Sequence, residues 1–456
     1  MTTLSRKLAR FTCSLRFHGI PGEVAEVAKL QLLDTLGCGL AAHALGVATA
    51  PREVMQEIGG TPESTVIGSA VPLPAPNAAF SNASLCHGLD FDNTHPASVS
   101  HASVVTCPAA LAAAEAAGST GRELLVAIIV GNEVTAQIGM AVTGEFHARG
   151  LHATPICGVF GAAAAVARLT GLSLSATVNA LGIAGSMASG LLAYLQDGSS
   201  TKQIHPGWAA HGAIIAARLA KKGATGPARV LEGRFGLYSA LLDRPETTLP
   251  DIGQLGQRWE TLHVATKLYP SCHYMHGVLG AVSQVADPKL QPSSIEDVVA
   301  SVPSEVVPIV LEPADQKAKP LTPYDAKFSL QYSVASLLVH GAVTPATYAD
   351  DALHDEVVLD LAKRVRYEVR DFPSYGAAFP GGVAIRTTSG DTYKAELAYE
   401  PGSTANPLPP STVRDKFRQN ASLALGRTDV EAAEAAVLQL EKENKLGVGF
   451  AALNRC

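Results

Sequence analysis

Four short segments of this 456-residue chain gather groups able to move protons or hold anions. The first runs His87-Gly88-Leu89-Asp90-Phe91-Asp92-Asn93-Thr94-His95 and continues at Ser100-His101-Ala102-Ser103. Carboxylates, hydroxyls and imidazoles this close together can bind a metal, cap a helix or orient a base. The second is Gly150-Leu151-His152-Ala153-Thr154-Pro155, where His152 precedes a Gly/Ala-rich helical pattern and can meet an anion beside that helix's first amides. The third, Asp197 to Gly207, sets Lys202 in a Gly/Ser/Thr turn with apolar flanks, so the amine can face either solvent or a pocket. The fourth is Lys267-Leu268-Tyr269-Pro270-Ser271-Cys272-His273-Tyr274-Met275-His276, which reads either as a hinge or as one wall of a cleft between domains.

Several other chemistries lack their signature. There is no H-E-x-x-H pair, no Gly-rich dinucleotide loop after a strand, no G-x-x-x-x-G-K-[ST] phosphate loop and no G-x-S-x-G elbow. The seven cysteines, Cys13, Cys38, Cys86, Cys107, Cys157, Cys272 and Cys456, are scattered and form no C-x-x-C. That pattern fits free thiols in a reducing, cytoplasmic setting and offers no zinc or iron–sulfur spacing.

The elements that must position these segments differ along the chain. Up to about residue 265 the periodicity is helical, over Val24–His43, Ala109–Ala117, Arg122–Val142, Val159–Leu169, Leu174–Tyr194 and Trp208–Lys222. Turns rich in Gly and Pro, such as Val71–Asn77, separate them. From about 266 the pattern alternates. Val298–Val302 and Val365–Arg370 read as strands, and Val383–Thr388 with Thr392–Leu397 reads as a hairpin around Ser389-Gly390-Asp391. Helices are expected after His273 and over Lys327–His340. A Pro-rich stretch (Pro401, Pro407, Pro409, Pro410) precedes a charged helical tail, Thr412–Lys445. The expectation is a mainly α protein, with a large all-helical domain over 1–265, an α+β lid over 266–399, and residues 400–456 folding back on the helical domain.

Composition narrows the partners. Hydrophobic residues make up 47% and charged residues 17%, so burial must be extensive, and a homodimer built through the helical domain would use the surplus. The net charge of −6 and the absence of a basic run argue against nucleic acid. No apolar run reads as a membrane span. Arg6, Lys7, Arg10 and Arg16 superficially resemble a transit peptide, but Leu4, Leu8, Phe11 and Leu15 keep the spacing of an ordinary helix.

In their joint order the motifs resemble the MmgE/PrpD family. The resemblance runs from Leu33-Asp34-Thr35-Leu36-Gly37-Cys38 through His87–Thr94, Gly131-Asn132-Glu133, His152–Phe160, Thr201-Lys202, His205–His211 and Lys267–Pro270 to Lys327-Phe328-Ser329-Leu330-Gln331-Tyr332. It implies a helical domain closed by a smaller lid, a homodimer, no metal and no cofactor. It also implies proton abstraction next to a carboxylate of a small polycarboxylate. Asp90, Thr94, His101, His152, Lys202, Lys267 and Tyr332 fall on positions that line the family's active site. Cys272 departs from that pattern, standing where cis-aconitate decarboxylases carry a histidine, with His273 shifted by one and His276 a turn further on.

The residues support a mechanism. His101 or His152 would serve as base, oriented by Asp90. Lys202 and Lys267 would hold carboxylates and the developing enolate charge, and Tyr332 would return a proton. Thr94, Cys272 and His276 would contact substrate. The leading expectation is a hydro-lyase acting on a 2-methylcitrate-like acid. Alternatives are a dicarboxylate epimerase, a decarboxylase of a cis-aconitate-like acid, a Schiff-base enzyme using one of the lysines, and a non-catalytic small-acid binder.

Overall fold

The computed structural model describes residues 2–250, 252–286, 290–446 and 450–454; Cys456 lies outside them. The fold is mainly α with one small mixed sheet.

Alanine-rich helices form the larger body. Gly22–Ala44, Ala75–His87, Ala102–Ala117, Gly121–Met140, Ala153–Leu169 and Thr201–Lys221 pack against one another, with the small faces of Gly and Ala setting the spacing. Gly131 and Gly161 mark the tightest crossing, where a Cβ on Gly161 would stand 2.3 Å from the Gly131 carbonyl oxygen. Gly121–Met140 is long and apolar enough to cross a membrane by length and composition, which the sequence reading passed over, yet 89% of that window is buried among neighbouring helices. One feature of this body is absent from the sequence expectation. Strands β1 (Ser64–Val66) and β2 (Ser69–Leu73) form a small hairpin within and just before the stretch read as turn.

A second hydrophobic cluster is built around a four-stranded sheet of order β4–β3–β5–β6. Strand β3 (Ile295–Val302) pairs parallel with β4 (Val365–Val369) and antiparallel with β5 (Gly381–Thr387), and β5 continues into the hairpin with β6 (Thr392–Leu397). The alternation at Val298, Ala300 and Val302 buries one face against the helices His276–Val285 and Leu330–His340. The helix expected to start at Lys327 starts at Leu330, because Ser329 caps it by accepting from the Tyr332 amide.

The tail helices Pro410–Ala421 and Arg427–Leu438 pack on Gly22–Ala44 in the first body. Lys416 fixes this return. Its amine pairs with buried Asp34 at 2.6 Å and donates to the carbonyls of Phe91 and Lys267, tying the tail to two of the chemistry-bearing segments.

Candidate active site

Three long helices begin at residues that line one cavity. His101 is the N-cap of Ala102–Ala117, His152 is the N-cap of Ala153–Leu169, and Lys202 sits in the first turn of Thr201–Lys221. Helix N-termini present unpaired amides and partial positive charge, so three of them around one space favour an anion. The segment Lys267 to Tyr274 lines the same space, together with Ile309, Phe328 and Phe379. The cavity measures about 60 Å³ and adjoins a chamber of about 620 Å³ that shares Val99, His147, Leu192, Leu195, Tyr274, Ile309 and Phe379.

Asp90 is the electrostatic centre. Its residue takes the left-handed conformation, φ 52°, which Asp tolerates better than most side chains. That turn aims both its carbonyl and its carboxylate at Lys267, whose Nζ lies 2.7 Å from each. Lys202 Nζ approaches the same Oδ1 at 3.0 Å and sits over the Phe328 ring. Burial would raise the Asp90 pKa, but the two ammonium groups outweigh it and hold the carboxyl well below its usual range. Asp90 is a counter-ion for two cations, and an anion entering the cavity would compete with it.

His101 is held by the neighbouring carboxylate, Asp92, and not by Asp90 as the sequence suggested. Asp92 Oδ2 accepts from His101 Nδ1 at 2.7 Å, while His87 Nδ1 donates to both Asp92 oxygens at 2.9 and 3.0 Å. His101 Nε2 stands 3.9 Å from Asp90 Oδ1. Burial, opposed by Asp92, drives the His101 pKa down to about 3, so the ring is neutral and its Nε2 lone pair is open to the pocket. His152 is also buried and neutral, with Nδ1 3.0 Å from His205 Nδ1, so one ring donates and the other accepts. Burial first, then its His and Lys neighbours, keeps His152 well below the ordinary imidazole value.

The structure thus brings Asp90, Thr94, His101, His152, Lys202, Lys267 and Cys272 to one cavity. It does not bring Tyr332 or His276 there. The Tyr332 hydroxyl is directed at the carbonyls of Thr347 and Ala352, at 3.0 and 2.9 Å, and does not line the cavity. The His276 ring meets His273 edge to face, with centroids 4.4 Å apart, and packs the same way against Tyr269. His273, passed over in favour of Cys272 and His276, lines the cavity itself, as do His147, Tyr194, Tyr274, Phe328 and Phe379. The apolar members are indistinguishable from core in sequence.

His87, Asp90, Asp92 and His101 place donor atoms within 4.8 Å of one another. This set does not suit a divalent cation. The Asp90 oxygen is shared by two ammonium groups, and both histidines already point Nδ1 at Asp92.

Comparison with known proteins gives the following matches. The MmgE/PrpD N-terminal domain model matches residues 6–250 and the MmgE/PrpD C-terminal domain model matches 269–442. The chain is 28% identical over 456 residues to human cis-aconitate decarboxylase, covering 97% of this chain and 92% of that protein. It is 26% identical over 457 residues to the cis-aconitate decarboxylase-like protein oryM of Aspergillus oryzae, covering 96% and 94%. To cis-aconitate decarboxylase of Aspergillus terreus it is 26% identical over 466 residues, covering 96% and 93%.

Proposed function

This chain belongs to the MmgE/PrpD family, and from that premise we propose that it is a lyase that breaks a bond next to a carboxylate of a small polycarboxylic acid. The observation that carries this reading is the paired Lys202 and Lys267 around Asp90, with the neutral, Asp92-backed His101 beside them. Removing a proton α to a carboxylate needs a base within reach and cations for the enolate-like charge. Substrate carboxylates displace Asp90 from the ammonium groups. His101 Nε2 takes the α-proton, and the two lysines hold the developing charge.

The finer reading is a hydro-lyase. Cys272 supports it over decarboxylation of cis-aconitate. Burial, with Asp90 nearby, pushes the thiol up to about 11, so Cys272 stays a neutral thiol where the decarboxylases carry an imidazole. Decarboxylation is the second reading. It is favoured by the cis-aconitate decarboxylase names of the relatives and by an apolar wall of Leu192, Leu195, Ile309, Phe328 and Phe379 that would desolvate a departing carboxylate. Incubation with citrate, 2-methylcitrate and cis-aconitate, read by mass spectrometry, separates them. Loss of water supports the first reading and loss of carbon dioxide the second. Deuterium uptake with inversion and no loss of either would make it an epimerase.

A homodimer through the helical body is part of the same proposal. Ile204, Trp208 and Leu219 form an exposed apolar stripe on the helix Thr201–Lys221 that suits a second copy.

A further inference from the structure

A second set of acid–base groups reaches the cavity through Thr94 and His273. Thr94 lines the cavity, and its backbone is fixed by paired hydrogen bonds with Ala265. Its hydroxyl lies 2.5 Å from His273 Nδ1. The other ring nitrogen, His273 Nε2, faces Glu400 Oε1 at 3.6 Å, just beyond hydrogen-bond length, and neither atom has a hydrogen-bond partner. The remaining Glu400 oxygen accepts from the Phe379 amide at 2.8 Å. Glu400 is fully buried at the head of the Pro-rich linker, and the linker is seated by Thr266 N–H donating to the Gly402 carbonyl. Gly402, at φ +97°, makes that approach possible, since a Cβ there would strike the Thr266 oxygen.

We propose that Glu400, His273 and Thr94 form a proton relay in which the state of Glu400 decides whether Thr94 offers the pocket a hydrogen or a lone pair. With Glu400 protonated, its O–H donates to His273 Nε2, Nδ1–H donates to the Thr94 oxygen, and the Thr94 hydrogen is free to point at a substrate oxygen. Handing on that proton leaves three hydrogens redistributed as two. The Glu400 proton moves to Nε2, the Nδ1 proton moves to Thr94, and the Thr94 proton goes to the substrate. His273 ends neutral and Glu400 ends as a carboxylate. In that spent state Nδ1 accepts from Thr94, and the cavity meets only oxygen lone pairs, which repel a carboxylate. Uptake of one proton from solvent resets the chain. Thr94 touches substrate; His273 and Glu400 act through it as positioning residues.

The surroundings support this poise. Burial, opposed by the Phe379 amide, raises Glu400 to about 7. His273 is held neutral by burial, then by His276, Lys267 and His101, with Asp90 acting the other way. Phe379 and His276 cover the ring at centroid distances of 4.8 and 4.4 Å.

The role in turnover rests on the lyase reading, whereas the tautomer of His273 does not. In a Glu400→Gln variant the amide oxygen must take the Phe379 N–H, so the NH₂ must face Nε2 as a permanent donor. Two-bond ¹H–¹⁵N spectra of histidine-labelled protein, assigned with His273→Gln, read the tautomer directly. The wild type should change from the Nδ1–H to the Nε2–H form across neutral pH, and Glu400→Gln should stay Nδ1–H from pH 6 to 9. With a substrate in hand, wild-type kcat/KM should fall about tenfold per pH unit above neutrality, and Glu400→Gln should lack that limb. A single wild-type tautomer over this range, or a variant that switches as the wild type does, overturns the relay whatever the reaction proves to be. An unchanged tautomer switch with no alkaline limb in turnover keeps the switch but removes its part in catalysis.

Discussion

Lys267 Nζ lies 2.7 Å from both the carboxylate and the backbone carbonyl of Asp90, although the two residues are 177 apart in sequence. The left-handed turn at Asp90 makes this double contact possible. It ties the segment that begins at Lys267 to the turn at Asp90, so an anion that draws Lys267 away from Asp90 acts on both segments at once.

Lys202→Met should abolish most turnover and keep the fold. Lys202 is buried and shares Asp90 with Lys267, so its loss removes a substrate cation while Asp90 keeps one partner. Losing one such group typically costs ~10²–10³ in rate. The check is kcat/KM beside thermal unfolding. Near-wild-type turnover would take Lys202 out of the site, and a large fall in Tm with it would make the residue structural.

Tyr332→Phe should leave turnover near wild type. Its hydroxyl satisfies carbonyls at Thr347 and Ala352, away from the cavity, so the cost falls on stability at about 1 kcal/mol. A rate loss of tenfold or more with unchanged Tm would return Tyr332 to the mechanism.

Lys327 predicts a pH dependence of stability. Burial, with Lys267 and Lys202 adding to it and Asp90 opposing, pulls its amine from 10.5 down to about 7. Between those values the unfolded chain holds a proton that the folded chain lacks, so this group makes stability rise with pH from about 7 to about 10.5. Below 7 both states are protonated and the slope vanishes. Lys327→Met cannot titrate, so the difference in Tm between wild type and variant should shift in favour of the wild type as pH climbs from 7 to 10. A constant difference would contradict the buried, neutral amine.

Much of the fold was legible because it rests on local periodicity. The helix Gly22–Ala44, the hairpin β5–β6 and the cap at His152 follow from spacing within a few residues. The cavity was legible through the motifs, and Asp90, His101, His152, Lys202 and Lys267 do meet. What sequence could not show was direction and distance. Tyr332 sits on a helix whose register turns it away from the cavity. The orienter of His101 is Asp92, two residues from the one chosen, because the left-handed turn at Asp90 sends the carboxylates to different partners. Glu400 lies 127 residues beyond His273, in a Pro-rich stretch that read as a linker.

The apolar stripe on Thr201–Lys221 predicts a dimer at micromolar concentration by light scattering. Trp208 is 54% exposed and central in the stripe, so Trp208→Glu should shift the population toward monomer. A wild-type mass near 47.2 kDa would contradict the dimer.

Everything in the proposed chemistry turns on His101 removing a proton next to a substrate carboxylate held by Lys202 and Lys267. The direct test is deuterium exchange at carbon, followed by mass spectrometry in deuterated water with citrate, 2-methylcitrate and cis-aconitate offered separately to wild type and His101→Gln. The account predicts that at least one acid gains carbon-bound deuterium, or yields a labelled product, with the wild type, and that His101→Gln still binds that acid but exchanges at least ~10²-fold more slowly. Undiminished exchange in His101→Gln, or no exchange and no product from any of the three acids with folded wild-type protein, would contradict it.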